Sequence, residues 1–93
     1  MKKPELTIDE YGNKRWYLND ELHRIDGPAI EWLNGYKWWF LNGKRHRING
    51  PAIEYADGHK EWWLNGKKVN EEDVIINVNL TEREYIKFII NQT

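Results

Sequence analysis

Short runs of β-branched and aromatic residues alternate with pairs of turn-forming residues along most of the chain. Runs such as 29–33 and 37–41 have the composition of strands. They are separated by Asn-Gly or Asp-Gly pairs at positions 26–27, 34–35, 42–43, 49–50, 57–58 and 65–66. Both residues of such a pair accept the positive φ of a tight hairpin turn. The pattern predicts a mainly β protein built from hairpins.

The hairpin pattern repeats at a constant interval. Trp16, Trp39 and Trp62 are equally spaced along the chain. The run Gly27–Glu31 returns at the same interval as Gly50–Glu54, with the same five residues. The third copy leaves the pattern after residue 67. A constant spacing between matching residues is typical of stacked repeats, which bury their apolar faces against one another.

The number of strands per copy follows from chain direction. Turns about every eight residues would suggest three strands, but an odd number of antiparallel strands would reverse each successive copy. Identical sequences would then have different surroundings. We therefore predict two strands per copy, with Lys44–Pro51 as a returning loop, and three hairpins stacked into an elongated antiparallel sheet.

The pairing of these strands predicts two faces. A two-residue turn at 34–35 pairs Ile30 with Trp39 and Glu31 with Trp38, and side chains then alternate between faces. The predicted core face carries Trp16, Leu18, Ile30, Trp32, Trp39, Leu41, Ile53, Tyr55, Trp62 and Leu64. The opposite face carries Arg15, Tyr17, Ala29, Glu31, Trp38, Phe40, Ala52, Glu54, Glu61 and Trp63.

The second face mixes carboxylates with a row formed by Tyr17, Phe40 and Trp63. One interpretation is a half-exposed surface that a loop or helix partly covers. The other is a recognition groove, because amphipathic aromatic side chains beside carboxylates suit protein, peptide or stacked-ring ligands. The sequence leaves both interpretations open.

The two ends of the chain differ from the repeats, which span residues 5–70. In the cap of 71–93, Thr81 and Glu84 form a capping box before an apolar stripe, which predicts a helix over about 81–91 covering the last hairpin. Partner binding is the alternative role of this helix. Three acidic residues after Asn70 also favour a helix start, although the β-branched run 74–78 weakens it. The N-terminal edge strand near Leu6–Ile8 has no evident cap, so pairing with another copy would give a homo-oligomer.

Composition excludes several classes of protein. A length of 93 residues favours a single domain over 1–93. Fourteen basic against 15 acidic residues argue against nucleic-acid binding, and the absence of cysteine excludes disulfides. No apolar run of about 20 residues and no signal-peptide core are present, so we expect no membrane association and a cytoplasmic location. Aromatic residues make up 14% of a chain whose mean hydropathy is -0.89, so the apolar mass is mostly indole.

Candidate chemistry is sparse. His23 and His46 would lie about 9.6 Å apart in stacked copies, too far to share a zinc ion with bonds of about 2 Å. We expect them, with the arginines that follow, to bridge to glutamates or loop carbonyls. Glu54 should oppose Glu61, with His59 diagonal, but this pairing occurs in one copy only. We therefore predict no catalytic residue, no metal and no cofactor.

The stretch Asn42–His46 followed by Tyr55–Gly58, within copies of constant length, resembles the MORN repeat and its bacterial and viral variants. The resemblance covers about residues 12–70. It departs from the usual pattern in its Arg-Ile-Asp/Asn-Gly-Pro-Ala stretch and its doubled tryptophan. It implies hairpins stacked into a groove-bearing sheet, protein–protein contact, sometimes lipid binding, and an antitoxin-like role in some bacterial variants. Short proteins with this variant look like those of phages, giant viruses and bacteria, so a viral protein would act in the host cytoplasm.

The sequence favours a non-enzymatic module that binds a protein partner, such as a host enzyme that a phage inhibits. The predicted binding residues are Tyr17, Arg24, Glu31, Trp38, Phe40, Arg47, Glu54 and Trp63. A second hypothesis is nucleotide binding, with rings stacked on Trp38 or Trp63 and phosphate held by Arg24 and Arg47. A third is a hydrolase that uses Glu54, His59 and Glu61.

Overall fold

The computed structural model describes residues 2–78. They form ten strands and one helix: β1 (Glu5–Ile8), β2 (Lys14–Leu18), β3 (Glu21–Leu22), β4 (Ile30–Glu31), β5 (Lys37–Trp38), β6 (Phe40–Leu41), β7 (Lys44–Arg45), β8 (Ile53–Glu54), β9 (Lys60–Leu64), β10 (Lys67–Val69) and α1 (Glu71–Val78). Eight of the strands form one antiparallel sheet in the order β1-β2-β4-β5-β8-β9-β10, with β3 also paired to β2, while β6 and β7 pair with each other. The prediction of a mainly β protein with an antiparallel hairpin sheet is confirmed.

In each of the first two copies, the chain that pairs back onto the long strand does so in two short pieces separated by a loop. In the first copy both β3 and β4 pair with β2. Between them, the carbonyl of Trp16 accepts from the His23 N–H at 3.0 Å, and its N–H donates to the Ala29 carbonyl at 2.9 Å. The chain therefore leaves the sheet after His23 and rejoins it at Ala29, and both of these residues are bonded to Trp16. We call the residues between, 24–28, the first excursion.

The second copy repeats this construction. Trp39 accepts from the His46 N–H at 3.1 Å and donates to the Ala52 carbonyl at 2.7 Å, which makes residues 47–51 the second excursion. Because the return strand keeps its direction across the excursion, successive copies run in the same direction. The predicted returning loop over 44–51 is wrong at its start, since Lys44–Arg45 is strand β7 and pairs with Phe40–Leu41.

The two kinds of turn differ in length. The turns after β2, β6 and β9 have positive φ at both central residues, as at Asn42 (50°) and Gly43 (77°), which is a type I′ turn. At the turn after β4, the Trp32 N–H donates to the Tyr36 carbonyl at 2.9 Å, and Gly35 has a φ of 98°. That loop therefore contains three residues instead of two.

The extra loop residue shifts the pairing by one. Ile30 lies opposite Trp38 and Glu31 opposite Lys37, so the predicted pairing of Ile30 with Trp39 is wrong. A shift of one residue moves every side chain of a strand to the other face. The predicted core and open faces are therefore each divided between the two observed faces.

The observed faces follow from the cross-strand pairs. One face, which we call the aromatic face, carries the row Arg15, Ile30, Trp38, Ile53 and Glu61. The opposite face, which we call the loop face, carries the row Lys14, Glu31, Lys37, Glu54 and Lys60. Opposite charges alternate along the second row, and such directly opposed pairs favour this register.

The core is small because the sheet forms a single layer. Ala29, Ile30 and Phe40 form a buried cluster against which Leu22, Trp32 and Trp38 pack. Phe40, which was predicted on the open face, is only 8% exposed. All six tryptophans are half-buried. Those predicted as core residues therefore remain partly in contact with solvent.

Helix α1 follows the last strand and lies against β9. Asn70 is its N-cap: the Asn70 carbonyl accepts from the Asp73 N–H at 3.1 Å, and the Asp73 carboxylate accepts from the Asn70 N–H at 3.2 Å. Acidic residues in the first turn suit the helix dipole, and Val74 is buried. The β-branched run did not prevent this helix. The helix predicted over about 81–91 lies outside the described residues.

Between residues 2 and 78 there is no helix whose length and apolar character would allow it to cross a membrane.

Candidate functional site

The aromatic face carries a continuous strip of stacked rings and guanidinium groups, which we call the aromatic strip. It runs from β2 to β9 across the sheet. Its members are Arg15, Trp32, Trp38, Arg45, Tyr55, Glu61 and Trp63.

The strip begins at Arg15, whose guanidinium is held in place by a hydrogen bond to the carboxylate of Asp9. The Arg15 guanidinium lies 5.0 Å from the ring centroid of Trp32, and Trp32 meets Trp38 edge to face at 5.4 Å. Asp9 accepts a hydrogen bond from Arg15 Nη1 at 2.9 Å. That bond holds the pKa of Asp9 down to about 2. Arg15 and Asp9 therefore neutralise each other at neutral pH.

Arg45 occupies the middle of the strip. Strand β7 places it opposite Phe40, and its guanidinium lies 5.5 Å from the ring of Trp38 and 4.8 Å from that of Trp63. Within residues 2–74, Arg15, Arg24 and Arg47 each have a carboxylate within 4.0 Å, whereas no such ion pair forms at Arg45. The strip therefore holds a cation between two indoles with no described carboxylate in direct contact.

Three donor atoms at this centre are buried without a partner among the described residues. They are the indole Nε1 atoms of Trp32 and Trp38 and Nε of Arg45. Buried donors are nearly always hydrogen-bonded in folded proteins. The strip therefore forms although these three donors have no hydrogen-bond partner among the described residues.

Glu61 organises the other end of the strip. Its carboxylate accepts from Trp63 Nε1 and from the Tyr55 hydroxyl, both at 2.9 Å. The bond from Trp63, followed by that from Tyr55, lowers the pKa of Glu61, while the bond to Glu61 raises the pKa of Tyr55. The carboxylate is therefore ionised and the phenol protonated at neutral pH, and both are occupied in holding Trp63.

The structure separates the predicted binding residues into two groups. Trp38 and Trp63 belong to the strip, and Phe40 lies beneath it with its ring centroid 6.4 Å from that of Trp38. Tyr17 is on the same face, two residues after Arg15, and pairs with Leu22. The predicted residues that lie on the loop face instead are Arg24, Glu31, Arg47 and Glu54.

The two loop-face arginines fasten the excursions onto the sheet. Arg24 stacks on Trp16 at 3.9 Å and donates to the Pro28 carbonyl at 3.1 Å. Arg47 stacks on Trp39 at 3.9 Å and donates to the Pro51 carbonyl at 3.0 Å. They are therefore not brought together with Trp38 or Trp63, and the predicted combination of these two arginines with those rings is not formed.

The two buried histidines connect neighbouring copies. Nδ1 of His23 accepts from the Asn42 N–H at 3.0 Å, and Nδ1 of His46 accepts from the Asn65 N–H at 2.8 Å. Each therefore receives a backbone N–H from the tight turn of the next copy. The predicted bridges to glutamates and loop carbonyls are made by the arginines that follow, Arg24 and Arg47. Burial lowers both pKa values, that of His46 to about 4, so both rings are neutral at pH 7.

The other candidate chemistry lacks its expected geometry. Glu54 lies opposite Lys60, and Glu61 opposite Ile53, so the predicted pairing of the two carboxylates is wrong and they lie on different faces. His59 is 80% exposed at its side chain and bonds to Asp57 at 2.9 Å. Within the described part of the chain, no three His, Cys, Asp or Glu side chains are grouped so that they could hold a metal ion.

Sequence reasoning missed Arg45 and assigned Trp32 and Tyr55 to the core. Arg45 occupies a position that holds Leu22 in the first copy and Lys68 in the third. A position that varies among otherwise matching copies is not required by the repeat. The variation at this position was the signal in the sequence that could have marked Arg45 as a candidate binding residue.

Comparison with known proteins gives no assignment: no family model, no curated protein and no solved structure matches the chain.

Proposed function

We propose that the chain is a non-enzymatic protein-binding module whose aromatic strip docks a partner segment that carries a carboxylate. Tryptophan, tyrosine and arginine are the residues most enriched at the energetic centres of protein interfaces. The strip combines all three on one sheet face. Its tryptophans are half-buried and not fully buried, so they retain some apolar surface for a partner to cover.

The observation that carries this proposal is the position of Arg45. A guanidinium held between two indoles has lost part of its water, and a carboxylate that approaches it binds more strongly than at an open surface. The stack also fixes the guanidinium before the partner arrives, which reduces the entropy lost on binding. An acidic residue flanked by apolar side chains matches a cation flanked by Trp38 and Trp63.

The shape of the strip favours a protein segment over a small molecule. It extends across the sheet from Arg15 on β2 to Trp63 on β9, whereas small-molecule sites are concave and enclose most of their ligand. The net charge of -1 gives no general attraction for phosphate groups. The arginines expected to hold phosphate are occupied on the loop face.

Selection from a random peptide library against immobilised protein tests the proposal. Peptides retained by the wild type should share an acidic residue next to apolar or aromatic residues. They should bind Arg45→Leu at least tenfold more weakly, because the cation is lost. Leucine is accepted at this position in the first copy, as Leu22, so the variant is expected to fold.

A variant on the loop face supplies the control. Lys37 is exposed and lies opposite Glu31 and Glu54, so Lys37→Ala removes one cation away from the strip and should leave peptide binding unchanged. Equal binding by the wild type and Arg45→Leu would refute the assignment of the strip. Failure to select any peptide would refute docking of a linear acidic segment.

We also propose that the chain is a MORN-like repeat protein. The stacked hairpins, the constant length of the copies and the tight turns at the Asn-Gly pairs support this relationship. Protein–protein contact, which the resemblance implies, agrees with the binding module proposed above.

A further inference from the structure

The two edges of the sheet differ in chemistry. At one edge β10 carries Lys67 and Lys68 and leads directly into α1. Lysines on an edge strand discourage pairing with another chain. At the other edge β1 is exposed along its whole length, with Leu6 47% and Ile8 59% exposed. Of the two edge strands of the sheet among the described residues, only β1 carries exposed apolar side chains.

The backbone of β1 presents hydrogen-bonding groups outward. Trp16 directs its N–H and carbonyl away from β1, toward His23 and Ala29. Since successive residues of a strand point these groups to alternate sides, Arg15 and Tyr17 direct theirs toward β1. Their partners Thr7 and Glu5 point back toward β2. The N–H and carbonyl groups of Leu6 and Ile8 therefore face outward.

We infer that two copies of this chain associate through antiparallel pairing of β1 with β1 around a two-fold axis at Leu6. A two-fold axis that relates neighbouring antiparallel strands stands perpendicular to the sheet. Both copies then show the same face on the same side. A residue can therefore oppose only a residue whose side chain points to the same face, so the axis must pass through a residue pair such as Leu6–Leu6.

Charge excludes the two registers next to the one centred on Leu6. With the axis at Glu5, two Glu5 carboxylates oppose each other. With the axis at Thr7, Glu5 opposes Asp9. With the axis at Leu6, Lys3 opposes Asp9 of the second copy. By symmetry this contact forms at both ends of the pair, and like charges oppose each other nowhere along it.

The same register uses the outward backbone groups. Leu6 of each copy donates to Leu6 of the other, and each Ile8 N–H donates to a Pro4 carbonyl. The missing N–H of Pro4 is not required for these four bonds. Pro4, Leu6 and Ile8 share the loop face, so the pairing also places three apolar side chains of each copy side by side across the axis.

Disulfide cross-linking tests both the dimer and its register, because the chain has no cysteine. Cα atoms of an opposed hydrogen-bonded pair lie about 5.5 Å apart, within reach of a disulfide. Thr7 of the two copies would lie about 8 Å apart, beyond that reach. Under mild oxidation Leu6→Cys should form a covalent dimer, and Thr7→Cys should form at least tenfold less.

Sedimentation equilibrium gives the second measurement. The wild type should sediment at about twice its 11.3 kDa chain mass. Leu6→Lys should weaken association at least tenfold, because it places like charges on the axis. Leu33→Lys should not, since Leu33 is 73% exposed but lies outside β1.

Three outcomes would overturn the inference. A wild type that stays monomeric at roughly 100 μM, which is of the order of the dissociation constant of a weak specific dimer, excludes the dimer. Faster cross-linking of Thr7→Cys than of Leu6→Cys excludes the register. A dimer that neither cysteine variant cross-links is formed by another surface.

Discussion

The first and second excursions have almost the same sequence and local structure but different burial. Residues 24–28 and 47–51 differ only by Asp26 in one and Asn49 in the other. In both, an arginine stacks on a tryptophan at 3.9 Å and donates to the carbonyl of a proline. Yet Ile25 is 75% exposed, whereas Ile48, at the equivalent position, is 5% exposed.

The ion pairs differ in the same direction. Arg47 lies 3.0 Å from Glu54 on the sheet, while Arg24 lies 4.0 Å from the equivalent Glu31 and makes its 3.0 Å ion pair with the exposed Asp26 of its own excursion. The comparison separates two properties of a repeat protein: the two copies share the shape that their matching residues give them, but they differ in how far the same residue is buried. Substitutions at matched positions of the two copies can measure them separately.

The largest difference is expected at the isoleucines. Ile48→Ala should lower the free energy of unfolding by about 2–5 kcal/mol, because it removes buried methyl groups and leaves a cavity. Ile25→Ala should change it by less than about 0.5 kcal/mol, since the side chain is mostly in water. Urea unfolding followed by tryptophan fluorescence measures both. Equal losses at the two positions would show that the copies are buried alike in solution.

The second difference concerns how the free energy of unfolding depends on pH. The pKa of His46 is about 4 in the folded state and about 6.5 when unfolded. Between these values the unfolded chain binds more protons, so the stability that His46 contributes is complete above pH 6.5 and is lost as the pH falls toward 4. The loss amounts to at most about 3 kcal/mol. Stability measured from pH 7 to pH 4 should depend less on pH in His46→Gln.

The matched variant in the first copy is His23→Gln. Burial lowers the pKa of His23 as well, but the hydrogen bond with Asn42 and the nearby charge of Glu21 partly oppose that shift. His23→Gln should therefore reduce the pH dependence less than His46→Gln does. A larger effect at His23 would contradict the greater burial of the second copy.

Smaller differences are expected at the arginines. Arg47→Ala should cost about 1–2 kcal/mol, because it removes the stacking on Trp39, the bond to Pro51 and the ion pair with Glu54. Arg24→Ala should cost a few tenths of a kcal/mol less, because its ion pair with Glu31 is longer and its short ion pair is with Asp26, whose side chain is 85% exposed. Thermal unfolding of both variants and the wild type at one salt concentration provides the measurement. Loss of the difference in high salt would assign it to the ion pair.

The smallest effect is expected at the tight turns. Asp20 has a φ of 64° where the second copy has Gly43 at 77°. Asp20→Gly gives the first copy the Asn-Gly turn of the second and should stabilise it by about 0.5 kcal/mol, because glycine adopts positive φ without steric cost. Gly43→Asp in the second copy should have the opposite effect. A loss of stability in Asp20→Gly would mean that the flexibility of glycine in the unfolded chain outweighs the strain relieved.

Much of the fold followed from local residue types, and less of the site did. Asn-Gly pairs marked the turns, and the equal spacing of matching residues indicated stacked hairpins. The faces were assigned wrongly because the turn at 34–35 has three loop residues, and a two-residue and a three-residue loop begin with the same Asn-Gly signal. Trp38, Glu61 and Trp63 were assigned to one face, as the structure has them. Trp32, Arg45 and Tyr55 were not assigned to that face, because pairing register decides which side chains meet.

The sequence by itself determined the positions of the turns, the repeat and the β class, because positive φ and strand propensity are properties of single residues and their neighbours. Only the tertiary structure decided that Arg45 lies between Trp38 and Trp63 and that Arg24 and Arg47 serve the opposite face. It also decided that Ile48 is buried while Ile25 is exposed. These outcomes depend on loop length, register and place in the stack, and each of those is set by contacts between residues distant in the chain.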